Sequence, residues 1–592
     1  MSMRRSKAVS ALAVMTVGVL ALSACGGGGG TSGGSEGGGV LTAAKGSQPD
    51  GIYKAPKVKP GKEVVVGHDA PYTTFNNQTA DGNNFNNTLV ANLVLTEPFF
   101  VDINNKVLLN GDVMDAVEET SKSPQVITYK IKKGVQWSDG AAWDCDDFYL
   151  AWLSQSGKAK KPDGKSTYFT PAGTNGYEYI TPECKDDLTF VTTYSQPYAD
   201  YKGIFDKASM LPAHILEKET GVADITKVTP TSPEVEKVAT FWNTGWNGFK
   251  KEIMPASGPF KFDSWQQGQY VRFVRNEKWA GNPAGPEAIT MKSISDPTAQ
   301  KQALQNGEMQ IIAPQAEPVL AGQLRELSSQ GVKYSAKPGL TFEHLDLNFK
   351  RPLFQDKAFR QAFAECINRN EIVDKLVKGV DPAAKPLGSL LFMQDEAGYK
   401  DDFSAVMPAD PAKAGKTLEA AGWAKGADGI YAKGGQKASF KISHTDIPRR
   451  KQTVELIQSS CRQAGIQIAD DTDPNFLDER VSNSDYDVAL FAWVGSPFKA
   501  EKKPIYVTGG GQNWQGYSNK TVDAEMPKVD TEFDEAVRDA ALQRANKAMA
   551  EDYASLPLFS LANLIAFNDN VTNVGYHSRN GSTWNAWEWE IS

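Results

Sequence analysis

From about residue 60 onward, short runs with strand periodicity alternate with amphipathic helical runs, and Gly or Pro punctuates most junctions. This alternation constrains the chain more than any other feature, because such elements pack as α/β lobes with mixed sheets. Strand patterns fall at 62–67, 126–131, 188–194, 342–348 and 486–493. Residues 260–263 and 270–275 read as a hairpin around Trp265-Gln266-Gln267-Gly268. Helical patterns cover 144–153, with Asp144 as N-cap and Asp146 and Asp147 in the first turn, a charged insertion at 215–255, and 357–377 up to Gly379. Asp410-Pro411 opens another helix that Gly422 closes, and 451–464 ends at Gly465. Residues 76–87, rich in Asn and Gly, and 156–186 read as loops. There is no internal repeat and no heptad. A length of 592 residues allows several lobes.

The N-terminus carries Arg4, Arg5 and Lys7, then an apolar run from Ala8 to Leu22 that is too short to span a bilayer. This is the order of a signal peptide, residues 1–24. Leu22-Ser23-Ala24-Cys25 resembles a bacterial lipobox, which implies export, cleavage before Cys25 and lipidation of that Cys. Residues 26–39, GGGGGTSGGSEGGG, cannot offset their chain entropy by burial and read as a flexible tether. The tether region is expected over 25–57. Gly30-Thr31-Ser32-Gly33-Gly34 matches an esterase elbow by composition only, since no strand precedes it. The balance of 63 Lys+Arg against 71 Asp+Glu argues against a nucleic-acid partner, which needs a basic face.

Setting Cys25 aside leaves Cys145, Cys184, Cys366 and Cys461. An even number in an exported chain suggests two disulfides. Of three connectivities, Cys145–Cys184 with Cys366–Cys461 keeps each bond inside one region. Cys366 shares a helical face with Phe359 and Phe363, and Cys461 with Val454 and Ile457, so both point into a core. No C-x-x-C is present. His68, His214, His344, His444 and His577 form no H-E-x-x-H. Asp146-Asp147 reads as a helix start, not a glycosidase dyad. Gly415-Lys416-Thr417 lacks the first Gly of a P-loop. No catalytic residue, metal ligand or cofactor is expected.

Seven blocks, in order, resemble the extracellular solute-binding proteins of peptide- and nickel-type ABC transporters, family 5. They are 128–140 with its Trp137-Ser138-Asp139-Gly140 corner before Asp146-Asp147, Ser257-Gly258-Pro259-Phe260-Lys261-Phe262, 348–369 (NFKRPLFQDKAFRQAFAECINR), 410–423, 485–493, Gly516-Tyr517-Ser518-Asn519 with Val522-Asp523, and Leu556-Pro557-Leu558. The resemblance implies an α/β, bilobal fold like the periplasmic binding proteins (type II), with an extra sub-lobe. One lobe would comprise 58–102, 209–335 and 560–592, the sub-lobe 103–208, and the second lobe 336–559. Crossovers near 336–342 and 556–562 would form a hinge that closes over ligand. It further implies a monomer, anchored by lipid on the outer side of the cell membrane. Such a protein captures peptides, oligopeptides first among them, and delivers them to permease subunits served by cytoplasmic ATPases.

Positions matching the family's ligand segments are Gln78, Thr79, Asp81 and Asn83 in the first lobe and Phe491, Trp493 and Ser496 in the second. Phe342 beside the hinge and Asn513-Trp514 complete the set. A peptide there would add as a strand, read by its main chain, with Trp493 offering a flat apolar face. Oligopeptide-binding members place an Asp about three residues after this Trp to pair with the peptide α-ammonium. Here that residue is Ser496. An ammonium desolvated without a partner is costly, so either it is held elsewhere, with Asp81 the candidate, or the ligand has no free N-terminus. Oligosaccharides, metal complexes and a sensor role are the alternatives, and after them a secreted hydrolase.

Overall fold

A computed structural model of the chain describes residues 40, 41, 43–174 and 176–592. The signal peptide, Cys25 and the Gly-rich stretch 26–39 lie outside the described residues.

Two long antiparallel strands, Val332–Leu347 and Ser555–Asn568, form the middle of a ten-stranded mixed sheet. On one side follow Ile311–Ile312, Val64–His68, Ala288–Ser293, Tyr270–Arg275 and Phe260–Gln266. On the other side follow Val488–Val494, Ser439–His444 and Gln467–Thr472. The ladder between the two long strands slips between Pro338 and Phe342, where Pro338 has no N–H to give. A large core lies to each side of this crossing. One gathers Phe75, Trp246, Phe262 and Trp589; the other gathers Phe354, Phe363, Ile457 and Leu542.

A separate four-stranded sheet runs Met114–Lys122, Gln125–Ile131, Thr189–Tyr194, Ile180–Asp186 in spatial order. The helix Cys145–Gln155 packs on it and starts in a capping box between Asp144 and Asp147. Asp147 also accepts hydrogen bonds from Trp137 Nε1 (3.1 Å) and Ala213 N (2.9 Å). The Trp-Ser-Asp-Gly corner is therefore an architectural joint. Asn348 serves similarly: its Nδ2 donates to Ser484 O (3.0 Å) and Tyr486 O (2.8 Å). Disulfides join Cys145 to Cys184 and Cys366 to Cys461, with Cα separations of 5.9 and 4.9 Å.

Several elements differ from the sequence reading. Residues 180–186 form an edge strand, not loop, because they pair with Thr189–Tyr194 in spite of Pro182. The pattern 357–377 splits into Lys357–Cys366 and Arg369–Leu376, since Asn368 caps the second helix by accepting from Glu371 N. Asn84 likewise caps a helix at Phe85–Val94, cutting short the expected loop. Tyr53, inside the expected tether region, is buried and donates to Glu588 Oε1 at 2.8 Å.

Successive residues of Val332–Leu347 face opposite ways. Phe342, His344 and Asp346 share one face. Glu343, on the other, is buried with Arg449 (2.8 Å) and Arg450 (3.1 Å). Arg449 also reaches across to Ala316 O and Gln315 Oε1, both at 3.2 Å.

Candidate functional site

A cavity of about 350 Å³ opens where the two cores face each other, within the range of small-ligand sites. The first wall is the loop before helix Phe85–Val94 and the face of that helix bearing Thr88, Ala91 and Asn92. Ala172, Gly173 and Tyr177, with Gly203, Ile204 and 206–209, extend it. The opposite wall is the end of strand Val488–Val494, with parts of 390–396 and 501–514.

The strand end has an open backbone edge. Gly495 N donates to Leu340 O at 3.0 Å, and the register pairs Trp493 with Phe342 and Phe491 with His344. In an antiparallel ladder the hydrogen-bonded residues alternate. Phe491, Trp493 and Gly495 thus direct their backbone groups to Val332–Leu347, and Ala492 and Val494 direct theirs the other way. The neighbour on that side, Ser439–His444, pairs only with Val488 and Ala489. The N–H and C=O groups of Ala492 and Val494 are left on an edge that borders the cavity.

The aromatic lining is ordered beside this edge. Trp493 stacks on Trp514 (centroids 5.3 Å, 28°) and meets Phe491 edge-on at 5.1 Å. Both Trp rings are half-buried, whereas Phe491 and Phe342 are buried behind them.

Charge in the cavity is mostly paired. Glu97 and Lys207 are 3.1 Å apart, and burial pushes the Glu97 carboxyl up. Arg579 contacts Glu501 at 2.9 Å and Asp206 at 3.4 Å. Burial raises the Glu501 carboxyl against the pull of Arg579 and Ser496. Burial lowers the ammonium of Lys502, which donates to Leu391 O at 2.5 Å.

Bacterial extracellular solute-binding proteins, family 5 Middle, is the family whose model matches residues 109–515. The chain belongs to this family. The Bacillus subtilis oligopeptide-binding protein AppA is 25% identical to it over 594 residues, 97% of each chain. The Mycobacterium tuberculosis oligopeptide-binding protein OppA is 24% identical over 513 residues, 85% of this chain and 80% of OppA. Among solved structures, a periplasmic EDTA-binding protein, EppA, superposes with a TM-score of 0.77 at 23% identity, covering 91% of this chain and 98% of its own. AppA with a nonapeptide superposes at 0.76 and 22% identity, covering 90% of this chain and 100% of its own. The fold is thus the bilobal α/β fold of the periplasmic binding proteins.

In this family-5 protein, Gln78, Asn83, Phe342, Phe491, Trp493, Ser496 and Trp514 all border the cavity. Gln78 Nε2 is held by Asp206 at 2.9 Å. Ser496 Oγ accepts from Phe498 N at 3.1 Å. Three expected residues lie outside the lining. Thr79 is buried and accepts from Gly82 N (2.9 Å). Asp81 is exposed to solvent. Asn513 is buried, its amide spanning Val507 O and Tyr517 O, both at 2.8 Å. The sequence reading missed Glu97, Asp206, Lys207, Glu501, Lys502 and Arg579. They come from scattered segments and share no local motif, so only the tertiary fold assembles them. Among the described residues, no group of three or more His, Cys, Asp or Glu could hold a metal ion, and no helix is long and apolar enough to cross a membrane.

Proposed function

We propose that this protein is the solute-capturing component of an ABC importer and takes oligopeptides between its two lobes for delivery to a membrane permease. Cys25 carries its lipid anchor, residues beyond it tether the monomer to the outer side of the cell membrane, and no bond in the solute is broken. The lobes are 58–102 with 209–335 and 560–592, the sub-lobe 103–208, and 336–559. Their hinge lies near 336–342 and 556–562, where the long strands cross between the cores and the ladder slips. A solute touching both lobes binds the closed form better and shifts the population toward it.

The observation that carries the peptide reading is the free edge at Ala492 and Val494 beside the Trp493–Trp514 platform. Strand addition on that edge reads a main chain and leaves side chains to the polar surroundings. The nonapeptide complex of AppA supports the same reading. The test is calorimetry with a tight-binding peptide and its backbone N-methylated forms. Methylation at alternate amides should abolish binding, and full affinity for every methylated form refutes strand addition.

Ser496 favours a second reading, in which the solute has no free ammonium. Of the cavity carboxylates, Glu97, Asp206 and Glu501 already face Lys207 or Arg579, and Glu396 accepts from Met393 N. Paired free and N-acetylated peptides separate the two: tighter binding of the acetylated form supports the second reading.

A further inference from the structure

We propose that the seam formed by residues 498–503, 530 and 538 against Ala172, 178–206 and Arg579 is a latch that holds the second lobe to the sub-lobe and the first lobe through protein contacts alone, with Lys503 and Asp200 as positioning residues for the ligand cavity. This rests on the two-lobe reading above and goes beyond it, since the latch needs no solute.

Polar contacts run along the whole seam. Lys503 Nζ donates to Glu178 Oε1 (2.9 Å), to the Tyr179 hydroxyl (3.3 Å) and to Asp530. Tyr179 donates to Asp530 Oδ2 (2.9 Å), and Ala199 N donates to Asp530 O (2.7 Å). Asp200 accepts from Ala500 N at 2.9 Å and pairs with Arg538 at 2.6 Å. Arg579 closes the row on Glu501. The side chains of Asp530 and Arg538 are 0% and 5% exposed. Removing one partner from such a cluster strands a buried charge, which selects against the joined arrangement.

Shape points the same way. A Cβ on Gly511 would lie 2.5 Å from Ala172 O, a backbone atom of the sub-lobe. A Cβ on Gly203 would lie 2.6 Å from the Phe498 ring. Neither glycine is in the left-handed region, so the backbone does not need Gly at either place; the close approach of the lobes does. The latch is also a cavity wall, because Glu501, Lys502 and Tyr506 border the cavity. Parting the seam moves that wall away from a solute.

The test is small-angle scattering of the full mature chain, purified free of solute. Wild type should lie closer to the curve calculated from this structure than either variant does. Gly511→Ala, which wedges the seam without removing a polar group, and Lys503→Met should each raise the radius of gyration. Lys503→Arg should restore the wild-type value. Wild type and both variants giving one superimposable curve, or a solute-free wild type already as expanded as Gly511→Ala, overturns the latch. Native mass spectrometry of the same wild-type sample reports separately on peptide capture: if it retains no peptide from a mixed nonapeptide pool, the function reading fails and the scattering comparison stands.

Discussion

Replacing Glu343 with Gln probes the buried ion triad on the face of the long strand opposite the cavity. Burial alone would raise this carboxyl, but Arg450 and Arg449 outweigh it and hold it at about 2, against an ordinary 4.5. At about 1.36 kcal/mol for each pH unit of displacement, ionised Glu343 contributes about 3 kcal/mol at neutral pH. The folded state binds its proton more weakly than the unfolded chain does. Its stabilisation is therefore complete above pH 4.5 and disappears as the pH falls toward 2. The neutral amide of the Glu343→Gln variant would leave two guanidiniums buried without their anion, a loss of about 3–5 kcal/mol at pH 7. Arg449 also holds Ala316 and Gln315, so the damage should spread across the crossing between lobes. Urea denaturation of wild type and variant from pH 7 to pH 2.5 measures this. The variant should start well below wild type, and its curve should lack the steep fall below pH 4.5. A variant within about 1 kcal/mol of wild type at pH 7, with parallel profiles at acid pH, would show that the triad does not act as described.

Trp493→Ala should weaken solute binding by about 2 kcal/mol, roughly thirtyfold, with a smaller loss of thermal stability, because the half-buried ring lines the cavity and packs only against the margin of the core. Unchanged affinity by calorimetry removes Trp493 from the site. Mass spectrometry of the mature N-terminus should find an acylated Cys25, and Cys25→Ser should release the protein from membranes; an unmodified Cys25 in membrane-bound protein contradicts the anchor.

Much of the architecture was legible because its signals are local. The Asp144 cap, the Asp410-Pro411 helix start and the Gly465 stop are each fixed within a few residues, and the structure follows them. The Trp137 corner was readable as a block, although its partner Asp147 was assigned only to a helix start. Long-range pairing was less visible. The strand at 180–186 is hidden by Pro182 and appears only once its neighbour supplies a ladder. The full length of Val332–Leu347 is likewise set by Ser555–Asn568, more than 200 residues away in the chain. The site divides in the same way. Trp493 and Phe491 announce themselves as aromatics at the end of an apolar strand. Arg579 reaches the cavity from the last C-terminal stretch to meet Glu501 and Asp206, and nothing in its own neighbours foretells it.

The pairing of Asp346 with Ser555 brings the two ends of the segment 347–554 side by side. Everything from 347 to 554 is therefore a cassette plugged into its host at a single doorway. Exchanging that cassette between family members requires matching one pair of neighbouring strand ends together with the contacts that Lys503, Arg538, Glu501 and Arg449 make outside it, and each graft would carry the Trp493–Trp514 platform with it. New tastes for cargo can be acquired by recombination at that doorway, without rebuilding the remainder of the molecule.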